Sequence, residues 1–203
     1  MPRYIATQYP DLTKLSFWDD FVGNTVNHNW TFIGTGGVTL PNELGGHLKI
    51  VTVTSNYCIM NFGNVGPLSV AGHAKVTWRG KMTPAVAAGG LCQCGLHDVT
   101  NPLTYFIRWI YEPNANANFR CTVKAGGTET IVSSAISADN LNHDFKIECM
   151  TGSILFYLDG TLRATITTNI PTTQLQPYAG CVAAAAANSE INMDWVWCLG
   201  DRA

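Results

Sequence analysis

The residues able to do chemistry are spread along the chain rather than gathered into a motif. Two carboxylate arrangements come nearest. Glu190, Asn192 and Asp194 alternate and so share one face of a strand, but the central position is an amide. Asp19 and Asp20 are adjacent and on a strand point to opposite faces. Hydrolysis of a glycosidic bond needs two carboxyl groups flanking it, roughly 5 to 9 Å apart. Neither arrangement supplies them, and Glu190 and Asp194 read as ion-pair partners for neighbouring Lys or Arg. The five histidines, His28, His47, His73, His97 and His143, form no pair at metal-ligand spacing, and there is no G-x-S-x-G elbow. Each reads as a strand-edge or loop residue.

Seven cysteines are present, Cys58, Cys92, Cys94, Cys121, Cys149, Cys181 and Cys198. The number is odd and most lie in apolar strand patterns. Cys92-Gln93-Cys94 is C-x-C without a second pair, whereas a zinc site wants C-x₂-C pairs. On a strand those two thiols share a face with Leu96. Buried free thiols are expected, as in a protein folded in a reducing compartment. No catalytic residue, metal site or cofactor is expected.

One constellation has positive content. Tyr105, Ile107, Trp109 and Tyr111 alternate onto one face of a run whose other face carries Phe106, Arg108 and Ile110. Tyr105, Trp109 and Tyr111 are thereby candidate contacts for a glycan or partner, since a row of rings on a sheet can stack on sugar faces. The competing reading is that these rings fill the space between two sheets, because both faces of the run are apolar.

The elements that must position these groups are strands. Short runs rich in Val, Ile and Thr are punctuated by 19 glycines and 9 prolines, and helix signals are almost absent. Ala74, Val76 and Trp78 alternate with Lys75, Thr77 and Arg79. Phe119, Cys121 and Val123 alternate with Arg120, Thr122 and Lys124. Phe145, Ile147 and Cys149 are followed, after the Thr151-Gly152 turn, by Ile154, Phe156 and Leu158. Asp159-Gly160 is a two-residue hairpin signal. The returning strand is expected to place Leu162, Ala164 and Ile166 inward. In the last strand Ile191, Met193, Trp195 and Trp197 are expected to share one face. Ala183 to Ala187 reads as a strand end and loop, or as a short helical turn. Roughly a dozen short strands without intervening helices imply an all-β, two-sheet antiparallel sandwich. Residues 1–14 read as an extended N-terminal arm, or a disordered tail, and 15–203 as one sandwich domain. Tyr4, Ile5, Tyr9 and Leu12 are the arm's candidate assembly contacts.

His143 to Glu148, then Ile154 to Gly160, resemble the concanavalin A-like lectin/glucanase superfamily, including its laminin-G-like members. So do Ile170-Pro171 and the terminal Ile191-Asn192-Met193-Asp194-Trp195-Val196. Phe17-Trp18-Asp19-Asp20-Phe21 is similar to the opening strand of that superfamily. The resemblance spans about Phe17 to Leu199 and implies a jelly roll whose first strand pairs beside its last. It also implies that the Glu190 to Asp194 strand belongs to the back sheet, away from the cleft. The glucanases of that superfamily carry E-x-D-x-x-E on one strand, and no such motif occurs here.

Charged residues make up 13% of the chain, against roughly 25% in an ordinary soluble domain, so either the surface is neutral or an assembly covers it. With net charge −2 and no basic cluster, nucleic-acid binding is unsupported. No run approaches the roughly 20 apolar residues of a membrane helix, and the N-terminus lacks the apolar core of a secretory signal. These features lead to the expectation of a non-enzymatic structural protein of a phage particle, a capsid decoration or tail-associated component. Such a protein would be assembled in the host cytoplasm, its partners being its own copies (a homotrimer) and other virion proteins such as a major capsid protein. A carbohydrate-binding, lectin-like module is the alternative.

Overall fold

The computed structural model describes residues 14–22, 29–39, 47–52, 56–63, 68–84, 89–183 and 188–201. Tyr4, Ile5, Tyr9 and Leu12, and with them residues 1–13 of the expected arm, lie outside these residues, while Lys14 opens the first strand. The described chain forms fifteen strands: β1 (Lys14–Asp19), β2 (Trp30–Gly34), β3 (Gly37–Thr39), β4 (Leu48–Thr52), β5 (Asn56–Phe62), β6 (Lys75–Thr83), β7 (Leu91–Asp98), β8 (Phe106–Tyr111), β9 (Asn118–Ala125), β10 (Thr128–Ser137), β11 (His143–Met150), β12 (Ser153–Leu158), β13 (Thr161–Ile166), β14 (Leu175–Ala183) and β15 (Ser189–Asp201).

They make two antiparallel sheets. One is eight-stranded, in the order β13-β12-β11-β6-β15-β4-β3, with β1 also paired to β15. The other is seven-stranded, in the order β10-β9-β8-β7-β14-β5-β2. The alternation of residues along each strand sends one set between the sheets. Trp78, Phe145, Ile147 and Phe156 enter from the first sheet, and Trp109, Phe119, Leu96 and Met60 from the second, all fully buried. Rings meet across the gap: Trp109 lies 5.8 Å from Phe145 and 5.6 Å from Phe156, both edge-on, and Trp30 lies 5.8 Å from Trp78. Edge-to-face pairs of this kind add about 1 kcal/mol each to the burial of the rings themselves.

The hairpin expected at Asp159-Gly160 forms, with both residues at positive φ (50° and 76°), as a tight turn of this type requires. β1 pairs with β15 from Lys14↔Asp201 to Asp19↔Val196. Two expectations about facing fail, each at a bulge. The pairing of β15 with β6 shifts between Met193 and Trp195, so Asp194 is an extra residue. Beyond it the sides exchange: Val196 and Cys198 are buried, while Trp195 and Trp197 are half-exposed. In the same way β13 slips against β12 around Arg163, leaving Leu162 48% exposed, whereas Ala164 and Ile166 point inward. An inserted residue reverses every later side chain, because the strand period is two. Ala183 closes β14, and 184–187 lie outside the described residues.

Candidate functional site

The outer face of the seven-stranded sheet is where the fold gathers polar side chains that no core needs. Parity selects them: on β8 it is Phe106, Arg108 and Ile110 that face out, while Ile107 and Trp109 are wholly buried between the sheets. Of the candidate contacts Tyr105, Trp109 and Tyr111, Trp109 needs correcting. Trp109 is 0% exposed, and its indole N–H donates to the Lys146 carbonyl of the opposite sheet at 3.2 Å. Tyr111 is half-buried with its ring edge-on to Phe119, and Tyr105 is half-buried in the turn before β8. Trp109 and Tyr111 pack into the sandwich, and the Arg108 face lies against the hollow.

That hollow, about 400 Å³, spans β2, β5, β14, β7 and β8. Its polar floor comes from four adjacent strands. Arg108 donates to Gln93 Oε1 (2.5 Å) and to Thr122 Oγ1 (3.1 Å), and pairs with Glu129 at 3.4 Å. The Tyr178 hydroxyl donates to the same Gln93 oxygen at 3.4 Å. Tyr178 stacks on His97 with ring centroids 4.2 Å apart and planes 16° from parallel. Asn61, opposite Tyr178 in register, completes the row. Gln93, His97 and Asn61 are at most 5% exposed, yet Asn61 Oδ1 and His97 Nε2 have no hydrogen-bond partner. Buried polar atoms are nearly always satisfied, and each one left open costs about 1–3 kcal/mol. Both residues belong to the lining of the hollow.

Burial also sets the protonation of this floor. It pulls the His97 pKa from 6.5 down to about 4, against a smaller upward pull from Asp98, so His97 is neutral at physiological pH. It pushes the Tyr178 hydroxyl up to about 12, with Arg108 opposing, so the hydroxyl keeps its proton.

Two glycines let the strands beneath the hollow approach closely. Gly95 stands opposite Tyr178, and Gly180 opposite Gln93. A Cβ on Gly180 would lie 2.6 Å from the Cys58 carbonyl oxygen, and one on Gly95 2.2 Å from that of Ile107. No side chain fits at either place. One rim is the 99–105 turn, which Asp98 holds by accepting the amides of Thr100 (2.7 Å) and Asn101 (2.6 Å). Burial alone would raise the Asp98 pKa, but these bonds and one from Thr173 hold it below the usual value. The turn carries Leu103, 74% exposed, over the His97 end.

No family model matches the sequence, and no curated protein matches it. Solved structures do. A protein of unknown function from Shewanella oneidensis MR-1 superposes with TM-score 0.67 and 17% identity over 100% of this chain and 90% of its own. The Crh5 transglycosylase superposes with TM-score 0.70 and 14% identity, over 93% of this chain and 84% of its own. The laminarinase catalytic domain from Thermotoga maritima MSB8 gives TM-score 0.71 and 12% identity, over 92% and 98%. The chain has the concanavalin A-like jelly-roll fold. At these identities the likeness establishes the architecture, as the sequence resemblance implied. It also corrects the expectation of a non-enzymatic phage-particle protein, and with it the expectation that the chain is not an enzyme. Proteins sharing this jelly roll over most of their length include a transglycosylase, a glucanase and laminarinases, and the carbohydrate-binding alternative accords with them better.

The Glu190 to Asp194 strand lies on the other sheet of the jelly roll. Glu190 pairs with Lys49 (2.6 Å) and accepts from Asn192 (2.7 Å), while Asp194 pairs with Arg79 (3.5 Å) and accepts from Asn142 (3.3 Å). Lys49 and Asn192 hold the Glu190 pKa down against the upward effect of its burial. Both carboxylates line a second, open hollow of about 420 Å³ with His47, Lys49 and Lys81. At the end of the same sheet His143 bridges Asp159 (2.6 Å) and Asp139 (2.9 Å), tying the β12–β13 turn to the loop before β11. All seven cysteines are free and buried, and burial raises their pKa values, those of Cys149 and Cys181 to about 12. Such thiols are inert as nucleophiles. Among the described residues no group of three or more His, Cys, Asp or Glu side chains could hold a metal ion.

Sequence reasoning missed Gln93, His97, Tyr178 and Asn61. The one available signal was glycine inside strand patterns, at Gly95 and Gly180, which marks close approach of backbone or ligand.

Proposed function

We propose that this chain is a carbohydrate-binding domain and that a saccharide occupies the hollow on the outer face of the seven-stranded sheet. The observation that carries this reading is the Arg108–Gln93–Tyr178 hydrogen-bond network in the lining of the hollow, with His97 and Asn61 beside it. Hydroxyl-rich ligands supply donors and acceptors at close spacing, and a small number of fixed polar groups in a concave site gives orientation and specificity. The carbohydrate-active proteins of the same fold support the choice of ligand class. Glu129, the carboxylate beside Arg108, is held in an ion pair with it.

The test is titration calorimetry with β-glucan oligosaccharides and a wider glycan panel, comparing wild type with Gln93→Ala and Tyr178→Phe. Binding by wild type that falls at least tenfold in Gln93→Ala and in Tyr178→Phe, with the wild-type circular dichroism spectrum retained, supports the reading. Equal binding in wild type and variants moves the site elsewhere, and failure of every glycan to bind refutes it. Release of reducing ends in the same mixtures measures whether the bound chain is also cleaved.

A further inference from the structure

The hollow is amphipathic along the strand direction. Its polar floor lies in the rows through Gln93, Tyr178 and Asn61. Moving along β7, β14 and β5 away from that floor, the next row is apolar throughout: Leu91, Val182 and Tyr57 stand side by side across three strands. Ile59 and Ile33, paired on β5 and β2, join the two regions. Tyr57 lies four residues from Asn61, or about 13 Å along an extended strand. Between the regions stands Gly180, whose missing side chain leaves the passage open. Ile33 and Tyr57 are 45% and 46% exposed at the rim of this strip, and Ile59, Leu91 and Val182 are half-buried.

Aliphatic walls are poor company for a sugar. Sugars are recognised by hydrogen-bonding groups and by the flat faces of rings; Ile33, Ile59, Leu91 and Val182 offer neither, and only Tyr57 at the end of the strip carries a ring. A hydroxyl pressed against them would lose its water without gaining a partner. An alkyl or aryl substituent, by contrast, gains from every methylene it removes from water.

We infer that the ligand of this cleft is an apolar-substituted glycoside, with its sugar on the Asn61–Gln93–His97 floor and its alkyl or aryl group along the strip from Ile59 to Leu91, Val182 and Tyr57. This inference rests on the carbohydrate reading of the same site and adds the second half of the ligand. The sugar end fixes orientation, and the apolar end contributes affinity.

The experiment compares methyl, butyl and hexyl β-D-glucopyranosides, below micelle-forming concentrations, with laminarihexaose as a substituent-free glycan. Burial of each added methylene strengthens binding about fourfold, so if three are covered the hexyl glucoside binds about sixtyfold more tightly than the methyl. The double variant Ile33→Thr/Tyr57→Thr changes exposed rim positions and keeps the fold, checked by circular dichroism. It is expected to remove most of the chain-length dependence while leaving methyl glucoside binding unchanged, and Val182→Thr is expected to act likewise. Equal affinity for the three glucosides, with laminarihexaose bound, overturns the apolar half and leaves the carbohydrate reading standing. Binding of the hexyl compound that the rim variants do not weaken also overturns it. If no glycoside and no oligosaccharide binds, both readings fall together.

Discussion

Acidification should destabilise this protein through His97 before the carboxylates of its surface ion pairs are protonated. His97 is 2% exposed, stacked on Tyr178, and its pKa lies at about 4 instead of 6.5 because burial disfavours the imidazolium. Between those two values the unfolded chain binds a proton that the folded chain refuses. Stability therefore rises with pH across this window and falls on acidification. The gap of about 2.5 units corresponds to about 3.4 kcal/mol when fully developed, of which about 2.5 kcal/mol is lost by about pH 4.5. Against a typical domain stability of about 5–15 kcal/mol this is a large fraction. The assay is urea unfolding followed by tryptophan fluorescence at about pH 7.5, 6 and 4.5, for wild type and His97→Phe, which keeps a ring against Tyr178 without a titrating nitrogen. Carboxylates such as Asp98 and Glu148 act equally in both proteins and cancel in the comparison. Wild type is expected to lose about 2–3 kcal/mol more than the variant between the first and last conditions. Identical slopes for the two proteins would refute the assignment of a neutral, buried His97.

Three further outcomes follow from the same geometry. His143 works in the opposite sense. Burial lowers its pKa, but hydrogen bonds and charge from Asp159 and Asp139 outweigh this and raise it overall, so its stabilisation is complete below pH 6.5 and lost as pH rises through the raised value. In His143→Gln this alkaline-side loss should vanish, with an effect of up to about 1 kcal/mol because Asp139 and Asp159 are about half exposed, read by thermal melts across pH. Trp109→Ala should cost about 3–5 kcal/mol in urea unfolding, whereas Glu190→Gln should change stability by less than about 1 kcal/mol and leave glycan binding intact. Gly180→Ala should destabilise by about 1–3 kcal/mol and reduce glycan affinity, since its Cβ would press on the Cys58 carbonyl; unchanged stability would mean that β5 and β14 can part more easily than their pairing suggests.

How far the fold was legible follows from individual strands. β11, β12 and β6 alternate cleanly in sequence because one face meets the core and the other meets water. β14 gave no such signal. It is buried at eight of its nine positions, and it contains Pro177, a residue that ordinarily argues against a central strand. It nevertheless pairs with both β7 and β5. The three-residue β3 was too short to register at all. In β15 the alternation was real, but the bulge at Asp194 is invisible in a pattern of residue types, and so Trp195 and Trp197 were assigned to the wrong side.

The sequence by itself determined the all-β class, the turn at Asp159-Gly160, the burial of the cysteine-bearing strands and the likeness to the concanavalin A-like jelly roll. These depend on local period and turn chemistry, which a single segment carries within itself. Tertiary structure alone decided the site. Asn61, Gln93, His97, Arg108 and Tyr178 come from four strands spread over more than a hundred residues of chain, and each looks unremarkable in its own segment. Only the order β8-β7-β14-β5 makes them neighbours, and only strand parity decides that Arg108 rather than Trp109 faces the hollow. Long-range pairing leaves no local trace, because the backbone bonds that create it are the same for every sequence.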